Sequence, residues 1–240
     1  MVWWDCLVSD APAAELAITA RALTLNGPAG PLYGPVDLDV DEGGVTVLVC
    51  PPGVGRTALL LTLAGRMRPT SGRLSVLGRT GARSIFGIAA VAAVDGVDDV
   101  AQTATVGELV TEKMRWDAPW YRAIRRADDA EVAGFCGPVF GDLPIPAATA
   151  PVEELGELDA MLLLIALANS VRPALLVVGG IDRVAEDGSR DLLVQRLAAL
   201  GDRQTIVTAG ANGVSGHAVR QIVVGTITRP EWAGDPGGVA

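Results

Sequence analysis

The segment VTVLVCPPGVGRTALLLTLAGRM, from Val45 to Met67, carries the pattern that decides the fold of this 240-residue chain. Its first five residues, Val45–Val49, form an apolar run that predicts a buried strand. Cys50 to Thr57 is rich in glycine and proline and predicts a turn. The leucine-rich run from Ala58 to Met67 predicts a helix. A strand, a glycine-rich turn and a helix in this order are typical of a phosphate-binding loop.

The turn matches the phosphate-loop pattern G-x-x-x-x-G-K-[ST] at two of its four fixed positions, Gly55 and Thr57. Cys50 replaces the first glycine, and Arg56 replaces the lysine. Small residues let the backbone N–H groups approach phosphate closely. We therefore predict a nucleotide-phosphate site formed by eight residues: Pro51, Pro52, Gly53, Val54, Gly55, Arg56, Thr57 and Ala58. The alternative is a glycine-rich turn without a ligand.

Two side chains of this loop have predicted chemical roles. Arg56 keeps the positive charge of the lysine, although its planar guanidinium is larger and not interchangeable with an ammonium group. Thr57 is in register to place its hydroxyl on Mg²⁺. Lys113 is the only lysine of the chain, so a general shift from lysine to arginine also explains Arg56.

Composition excludes several classes of function. The net charge is −9 and the isoelectric point is near 4.6, so we predict no nucleic-acid partner, because such binding depends on Lys and Arg. The sequence contains no apolar run of eighteen residues, which argues against a membrane span. Three scattered cysteines have no metal or disulfide spacing, which fits a reducing, cytoplasmic setting.

The stretch VDLDVDEGGVTVLVCPPGVGRTALLLTLAGRMRPTSGRLSVLG, residues 36–78, resembles the nucleotide-binding domain of ATP-binding cassette (ABC) proteins. In that family a leader strand, a phosphate loop, a helix and P-T-S-G-x-x-x-x-x-G follow one another. Leu155 to Ile181 can be aligned without a gap on the family's signature motif, helix and Walker B strand. Thr205 to Gly210 is similar to the strand that ends at the switch histidine.

The resemblance implies an α/β fold of the P-loop NTPase type. It would have a mainly parallel sheet, a leading β-subdomain and a small helical subdomain at about 104–170. We predict one nucleotide-binding domain over 15–230, with irregular tails at 1–14 and 231–240. Within the helical region, Thr105 and Glu108 have the spacing of a capping box, and Glu153 to Ser170 predicts a single helix.

The sequence departs from the family at the positions that would hydrolyse ATP. The two Walker B carboxylates, which the family uses for Mg²⁺ and for the attacking water, are replaced by Gly179 and Gly180. The signature L-S-G-G-Q reads LGELD, residues 155–159, and Glu157 would repel phosphate. Gly210 replaces the switch histidine. Hydrolysis is therefore predicted to be weak or absent.

Three further positions complete the predicted site and its surroundings. The family's Q-loop glutamine falls near Val94 or Asp95, and Asp95 is a candidate for the Mg²⁺ shell, against the alternative of a solvated acidic loop. The adenine-stacking aromatic would lie near Asn26, where none is present, and Tyr33 is a poor substitute by register. Glu153, Glu154 and Glu157 are interpreted as helix-capping residues rather than an acid/base site.

The region after residue 115 combines aromatic and basic residues. We interpret it as a partner-facing patch, against the alternatives of an ordinary helix face or a short nucleic-acid contact. Its members are Trp116, Trp120, Tyr121, Arg122, Arg125 and Arg126.

The predicted function is the ATP-binding subunit of an ABC transporter-like complex, with ATP and weakly bound Mg²⁺ as cofactors. The resemblance implies two kinds of partner: a membrane permease subunit, and a second ABC subunit in a homodimer or heterodimer. The chain would be cytoplasmic, at the inner face of the cell membrane through the permease. The alternative is a non-catalytic regulatory or scaffold protein that keeps the fold without binding nucleotide.

Overall fold

The computed structural model of the chain describes residues 15–28, 30–97 and 104–225. The tails predicted at 1–14 and 231–240 lie outside these residues. The strands are β1 (Leu16–Gly27), β2 (Gly30–Asp41), β3 (Val45–Val49), β4 (Ser71–Val76), β5 (Arg79–Thr80), β6 (Ala89–Ala92), β7 (Leu175–Gly180), β8 (Thr205–Gly210) and β9 (Arg220–Val223). The helices are α1 (Val54–Leu63), α2 (Ala82–Phe86), α3 (Val106–Asp117), α4 (Asp129–Phe140), α5 (Glu157–Ala168) and α6 (Asp187–Gly201).

The strands form two sheets. One is a four-stranded antiparallel sheet in the order β2-β1-β4-β5, and the other has five strands in the order β6-β7-β8-β3-β9. All pairings in the second sheet are parallel. The predicted α/β fold of the P-loop type, with a leading β-subdomain, is confirmed.

Side chains of the parallel strands alternate between two cores. On β7, Leu175 and Val177 pack with α1 and the antiparallel sheet. Leu176 and Val178 face the opposite way and pack with residues of α3, α4, α5 and α6. This alternation follows from the two-residue period of a strand. Because both faces are covered, the strand is a continuous apolar run rather than an alternating one.

The helix after the loop begins earlier and ends earlier than the sequence predicts. It starts at Val54, so that half of the predicted turn forms its first turn, and it ends at Leu63 rather than Met67. Gly65 has a φ of 69°, and this left-handed conformation stops the helix. The prediction was wrong because it treated Gly65 as part of a continuous apolar run.

The predicted helical region is formed by three helices. The Thr105 side chain and Glu108 form the predicted capping box at the start of α3, and Asp128 and Glu131 form a second one at α4. The single helix predicted from Glu153 is wrong, because a short 3-10 turn, Val152–Glu154, precedes α5. Whether 104–170 is a separate subdomain stays a prediction. No helix among the described ranges is long and apolar enough to cross a membrane.

Candidate functional site

The candidate site lies where the carboxyl ends of the parallel strands meet. Since β3, β6, β7 and β8 run in the same direction, the residues that follow them share one edge of the sheet. The Cys50 N–H donates to the Gly210 carbonyl oxygen at 3.0 Å and joins the loop to the end of β8. The sheet thus brings the loop, the Walker B positions and the switch position to one edge.

The loop presents backbone donors at the start of α1. Gly53 precedes the helix with a φ of 135°, a conformation that favours glycine. The first intrahelical hydrogen bond runs from the Thr57 N–H to the Gly53 carbonyl oxygen at 3.2 Å. The N–H groups of Val54, Gly55 and Arg56 come before it and have no intrahelical acceptor. With the helix dipole, they form an arrangement suited to an anion.

The loop is open on one side and fixed on the other. Pro51, Pro52, Gly53 and Val54 are exposed, whereas Ala58 is buried. Gly55 packs so closely under β2 that a Cβ there would overlap the Leu32 carbonyl oxygen. Cys50 is 3% exposed, and this burial raises the pKa of its thiol. A small side chain is therefore accommodated at the first glycine position.

Arg56 does not extend towards solvent. Its side chain is 7% exposed and its Nη1 donates to Asp182 Oδ2 at 2.8 Å. Asp182 lies two residues after β7, in the turn Ile181–Arg183. The ion pair therefore joins the glycine-rich loop to the end of β7, and the Asp182 side chain is 29% exposed.

Both Walker B positions are filled by other parts of the molecule. A Cβ on Gly179 would overlap the backbone carbonyl oxygen of Ala93. A Cβ on Gly180 would overlap the Asp182 carboxylate and lie 2.7 Å from Arg56 Nη2 and 3.0 Å from Arg56 Cζ. Gly179 is therefore required by the backbone packed against it. At Gly180 the atoms in the way belong to the Asp182 and Arg56 side chains, whose ion pair occupies the space beside it.

The candidate metal ligands are not brought together with other carboxylates. Asp95 is exposed and lies 3.3 Å from Arg183 Nη1, which also donates to the Ala93 carbonyl oxygen at 2.7 Å. Thr57 is half-buried at the start of α1. Within the described ranges, no group of three or more His, Cys, Asp or Glu residues could hold a metal ion. Metal binding by Thr57 and Asp95 stays a prediction.

The segment aligned with the family's signature motif, residues 155–159, contacts the segment that follows β7. Glu157 is the first residue of α5, and its carboxylate accepts a hydrogen bond from the Ala185 N–H at 2.7 Å. Glu157 therefore lies in the first turn of a helix, where a carboxylate suits the helix dipole, but no side-chain hydrogen bond from a described residue caps α5, and a capping role stays a prediction. It also ties this region to the segment after β7. Glu153 and Glu154 lie instead in the preceding 3-10 turn.

Tyr33 cannot stack on a base from outside, because it is fully buried at 0% exposure. Several exposed aromatic side chains of the described residues lie elsewhere. Trp116 is 78% exposed, Trp120 is 96% exposed, and Tyr121 packs edge to face against Trp120. These three belong to the predicted partner patch, in the last turn of α3 and just after it.

The arginines of that patch are largely engaged by neighbouring acids. Arg125 pairs with Glu131 at 3.4 Å and Arg126 pairs with Glu108 at 3.1 Å. These contacts connect the patch to the capping boxes of α3 and α4. Both arginine side chains remain exposed, at 77% and 61%, so the patch presents arginine as well as aromatic surface.

Asp182 is not among the site residues predicted from the sequence. Its only signal was an acid two residues beyond the glycines that replace the Walker B carboxylates. The contact with Arg56 spans 126 positions in the sequence, so no local pattern could identify it. It depends on the parallel sheet that places the ends of β3 and β7 at the same edge.

A concave surface lies away from the loop. It is a groove of about 800 Å³ between the α2–β6 segment and the end of α5. Phe86 is 49% exposed and Val171 is 64% exposed in this groove. The cationic side chains that line it are Arg66, Lys113 and Arg172. Arg66 lies over the Phe86 ring at 4.1 Å from its centroid.

Comparison with known proteins gives partial sequence matches. No protein-family model matches the chain. It is 39% identical over 62 residues to the hemin import ATP-binding protein HmuV of Rhodopseudomonas palustris, covering 26% of this chain and 23% of that protein. It is 35% identical over 77 residues to the cytochrome c biogenesis ATP-binding export protein CcmA of Xanthomonas campestris, covering 32% of this chain and 36% of the relative. The chain thus matches at most about a third of either relative.

Solved structures match over most of the chain. CbiO1 of Clostridium perfringens, part of the ABC transporter complex cbiONQ, has a TM-score of 0.62 at 17% identity, covering 82% of this chain and 79% of CbiO1. The ATP-binding cassette MJ0796, bound to ADP and Pi, has a TM-score of 0.62 at 15% identity, covering 81% of this chain and 88% of that cassette. The sequence resemblance to ABC nucleotide-binding domains is therefore confirmed at the level of the fold.

Proposed function

We propose that this chain, which has the fold of an ABC nucleotide-binding domain, binds ATP at Cys50–Thr57 as the ATP-binding subunit of an ABC transporter-like complex. The observation that carries the proposal is the open start of α1. There, the N–H groups of Val54, Gly55 and Arg56 precede the first intrahelical hydrogen bond. The partial likeness to HmuV and CcmA, both ATP-binding proteins by name, supports nucleotide binding by this chain.

Hydrolysis by the isolated chain is proposed to be weak or absent. Gly179, Gly180 and Gly210 carry no group that orients water or accepts its proton. General-base help contributes about 10²–10⁴-fold to the rate in enzymes that have it. A second ABC subunit with intact residues, in a heterodimer, would supply the missing chemistry. A homodimer would leave both sites without it.

ATP is expected to stabilise the chain against heat, and Val54→Glu is expected to remove most of this effect. At about 100 times its Kd a ligand adds about 2.7 kcal/mol, or roughly 5–10 °C for a domain of this size. Val54 lies in the loop and is 69% exposed, so a carboxylate there would repel phosphate. The same carboxylate suits a helix start and should not destabilise the free protein. The measurement is a thermal melt with saturating ATP, in Mg²⁺ and separately in EDTA.

Trp120→Glu is the matched control, since it adds the same charge at a side chain that is 96% exposed and outside the loop. Its ATP-induced shift should equal that of the wild type. If the wild type shows no shift in either medium, the alternative of a regulatory or scaffold protein without nucleotide replaces this proposal. An unchanged shift in Val54→Glu would place the nucleotide elsewhere.

The groove at Phe86 is proposed as the surface for a membrane permease subunit. Two exposed apolar side chains, Phe86 and Val171, lie in a depression that Arg66, Lys113 and Arg172 also line. Lys113 pairs with Asp117 at 2.6 Å, so Arg66 and Arg172 supply the positive charge of the groove. In a chain of net charge −9, this local positive charge favours an acidic amphipathic segment. Binding there would hold the chain at the cytoplasmic face of the membrane. The aromatic patch around Trp120 is the competing surface.

Phe86→Glu is expected to weaken binding to the permease subunit by about 30-fold or more, because a central aromatic contact is typically worth at least about 2 kcal/mol. The measurement is the Kd for the purified membrane subunit in nanodiscs. Trp120→Glu again serves as the control and should bind normally. The opposite result, with Trp120→Glu impaired and Phe86→Glu normal, would assign the partner to the aromatic patch.

A further inference from the structure

The site does not fit the divalent cation that ABC-type sites imply. Thr57 keeps the hydroxyl ligand, but Gly179 cannot carry a carboxylate, because even a Cβ would overlap the Ala93 carbonyl oxygen. Asp95 is turned to Arg183. Asp182, the remaining acid at the end of β7, accepts from Arg56 through Oδ2, while its buried Oδ1 has no hydrogen-bond partner among the described residues. The protein therefore offers the metal one hydroxyl group and one carboxylate oxygen, and Arg56 already balances the charge of that carboxylate.

The position of Arg56 indicates which cation replaces the metal. Its guanidinium lies beside Gly180, with Nη2 at 2.7 Å from where a Cβ would be. The positive charge thus occupies the end of the Walker B strand, where the family has carboxylates. A divalent cation brought to the same place would be repelled by the guanidinium.

Arg56 also has hydrogen-bonding capacity left for a ligand. A guanidinium carries five N–H donors. Within the described part of the chain, the single hydrogen bond of this side chain runs from Nη1 to Asp182 Oδ2. The side chain is 93% buried, since its exposed fraction is 7%. A buried cation with unused donors, next to the free N–H groups at the start of α1, favours an anionic ligand.

We propose that this site binds a nucleotide polyphosphate without a divalent cation, using the Arg56 guanidinium, anchored by Asp182, as a permanent internal cation. The proposal rests on nucleotide binding at the loop. The fork geometry of a guanidinium lets it contact Asp182 and a phosphate oxygen at the same time, which an ammonium group does less well. In this proposal, the arginine at position 56 and the glycines at 179 and 180 belong together, because the guanidinium takes the place of the metal ion that the Walker B carboxylates of the family would help to hold.

A direct consequence concerns the form of nucleotide that binds. Free ATP presents its full negative charge to Arg56 and to the loop N–H groups. Mg²⁺ bound to the phosphates neutralises part of this charge and adds a dication near Arg56. The metal-free nucleotide is therefore the preferred ligand, the opposite of the dependence that the fold implies.

The test is isothermal titration of the wild-type protein with ATP in EDTA and in excess Mg²⁺. We expect a Kd in EDTA that is lower by about tenfold, a difference of about 1.4 kcal/mol. A Kd that is equal in the two media still supports metal-independent binding. Tighter binding in Mg²⁺ overturns the inference but keeps the proposed function. If ATP binds in neither medium, the proposed function itself is wrong.

Two variants distinguish the internal cation from a displaced metal ligand. Arg56→Gln should weaken the binding of metal-free ATP by about tenfold or more, and added Mg²⁺ should not restore it. Asp182→Asn keeps Arg56 and should still bind ATP in EDTA. If Mg²⁺ tightens binding in the wild type and Asp182→Asn removes that effect, Asp182 is a metal ligand and the inference is wrong. Circular dichroism at the titration temperature identifies any unfolded variant. If a variant is unfolded, the wild-type titrations in EDTA and in Mg²⁺ still test the inference.

Discussion

Gly179→Asp is expected to unfold the protein rather than restore a metal ligand. Position 179 lies in β7, whose six residues are all buried. A Cβ there would overlap the Ala93 carbonyl oxygen, and backbone cannot move aside as a flexible side chain can. The carboxylate would also be buried without a described partner. Overpacking costs about 1–3 kcal/mol and an unpaired buried charge costs several more. The sum approaches the whole stability of a typical domain.

The measurement is equilibrium unfolding in urea, with Gly179→Ala to isolate the steric part. We expect Gly179→Ala to lose about 1–3 kcal/mol. Gly188→Ala is the matched control, because Gly188 lies in α6 and a Cβ added there would have nothing within 4 Å. That change should be neutral or stabilising by up to about 1 kcal/mol. A folded Gly179→Asp protein with wild-type stability would contradict this account of β7.

Asp182→Ala is expected to destabilise the protein by about 2–4 kcal/mol, because it leaves the Arg56 charge buried without its partner. The Arg56 side chain is 7% exposed, so little water can replace the lost carboxylate. Asp182 itself is 29% exposed, which lowers the expected loss below that of a fully buried pair. The free energy of unfolding in urea measures the change.

Asp39→Ala provides the comparison with an exposed ion pair. Asp39 accepts from Arg21 at 2.7 Å, and their side chains are 44% and 49% exposed. Its loss should cost no more than about 1 kcal/mol.

A double-mutant cycle that combines Asp182→Ala with Arg56→Ala should give a coupling energy of about 1–3 kcal/mol for the Arg56–Asp182 pair. A coupling near zero would show that the two side chains are neighbours without an energetic link.

The sequence by itself determined the class of fold. The apolar run Val45–Val49, followed by glycines and a leucine-rich helix, is a local pattern that needs no distant residue. The gapless alignment of Leu155 to Ile181 with the family also predicted a strand in the region where the structure has β7. Helix ends were less predictable, because Gly65 acts through one backbone angle that an apolar pattern does not express.

The chemistry at the loop was decided only by the tertiary structure. From the sequence, Arg56 is a substitute for a phosphate-binding lysine, and Gly179 and Gly180 are losses. In the folded chain Arg56 pairs with Asp182 across 126 positions, in the space that Gly180 leaves open. Ala93 closes the space that a carboxylate at 179 would need. These relations arise because a parallel sheet gathers the ends of strands that are far apart in the chain, and sequence spacing carries no record of which side chains meet there.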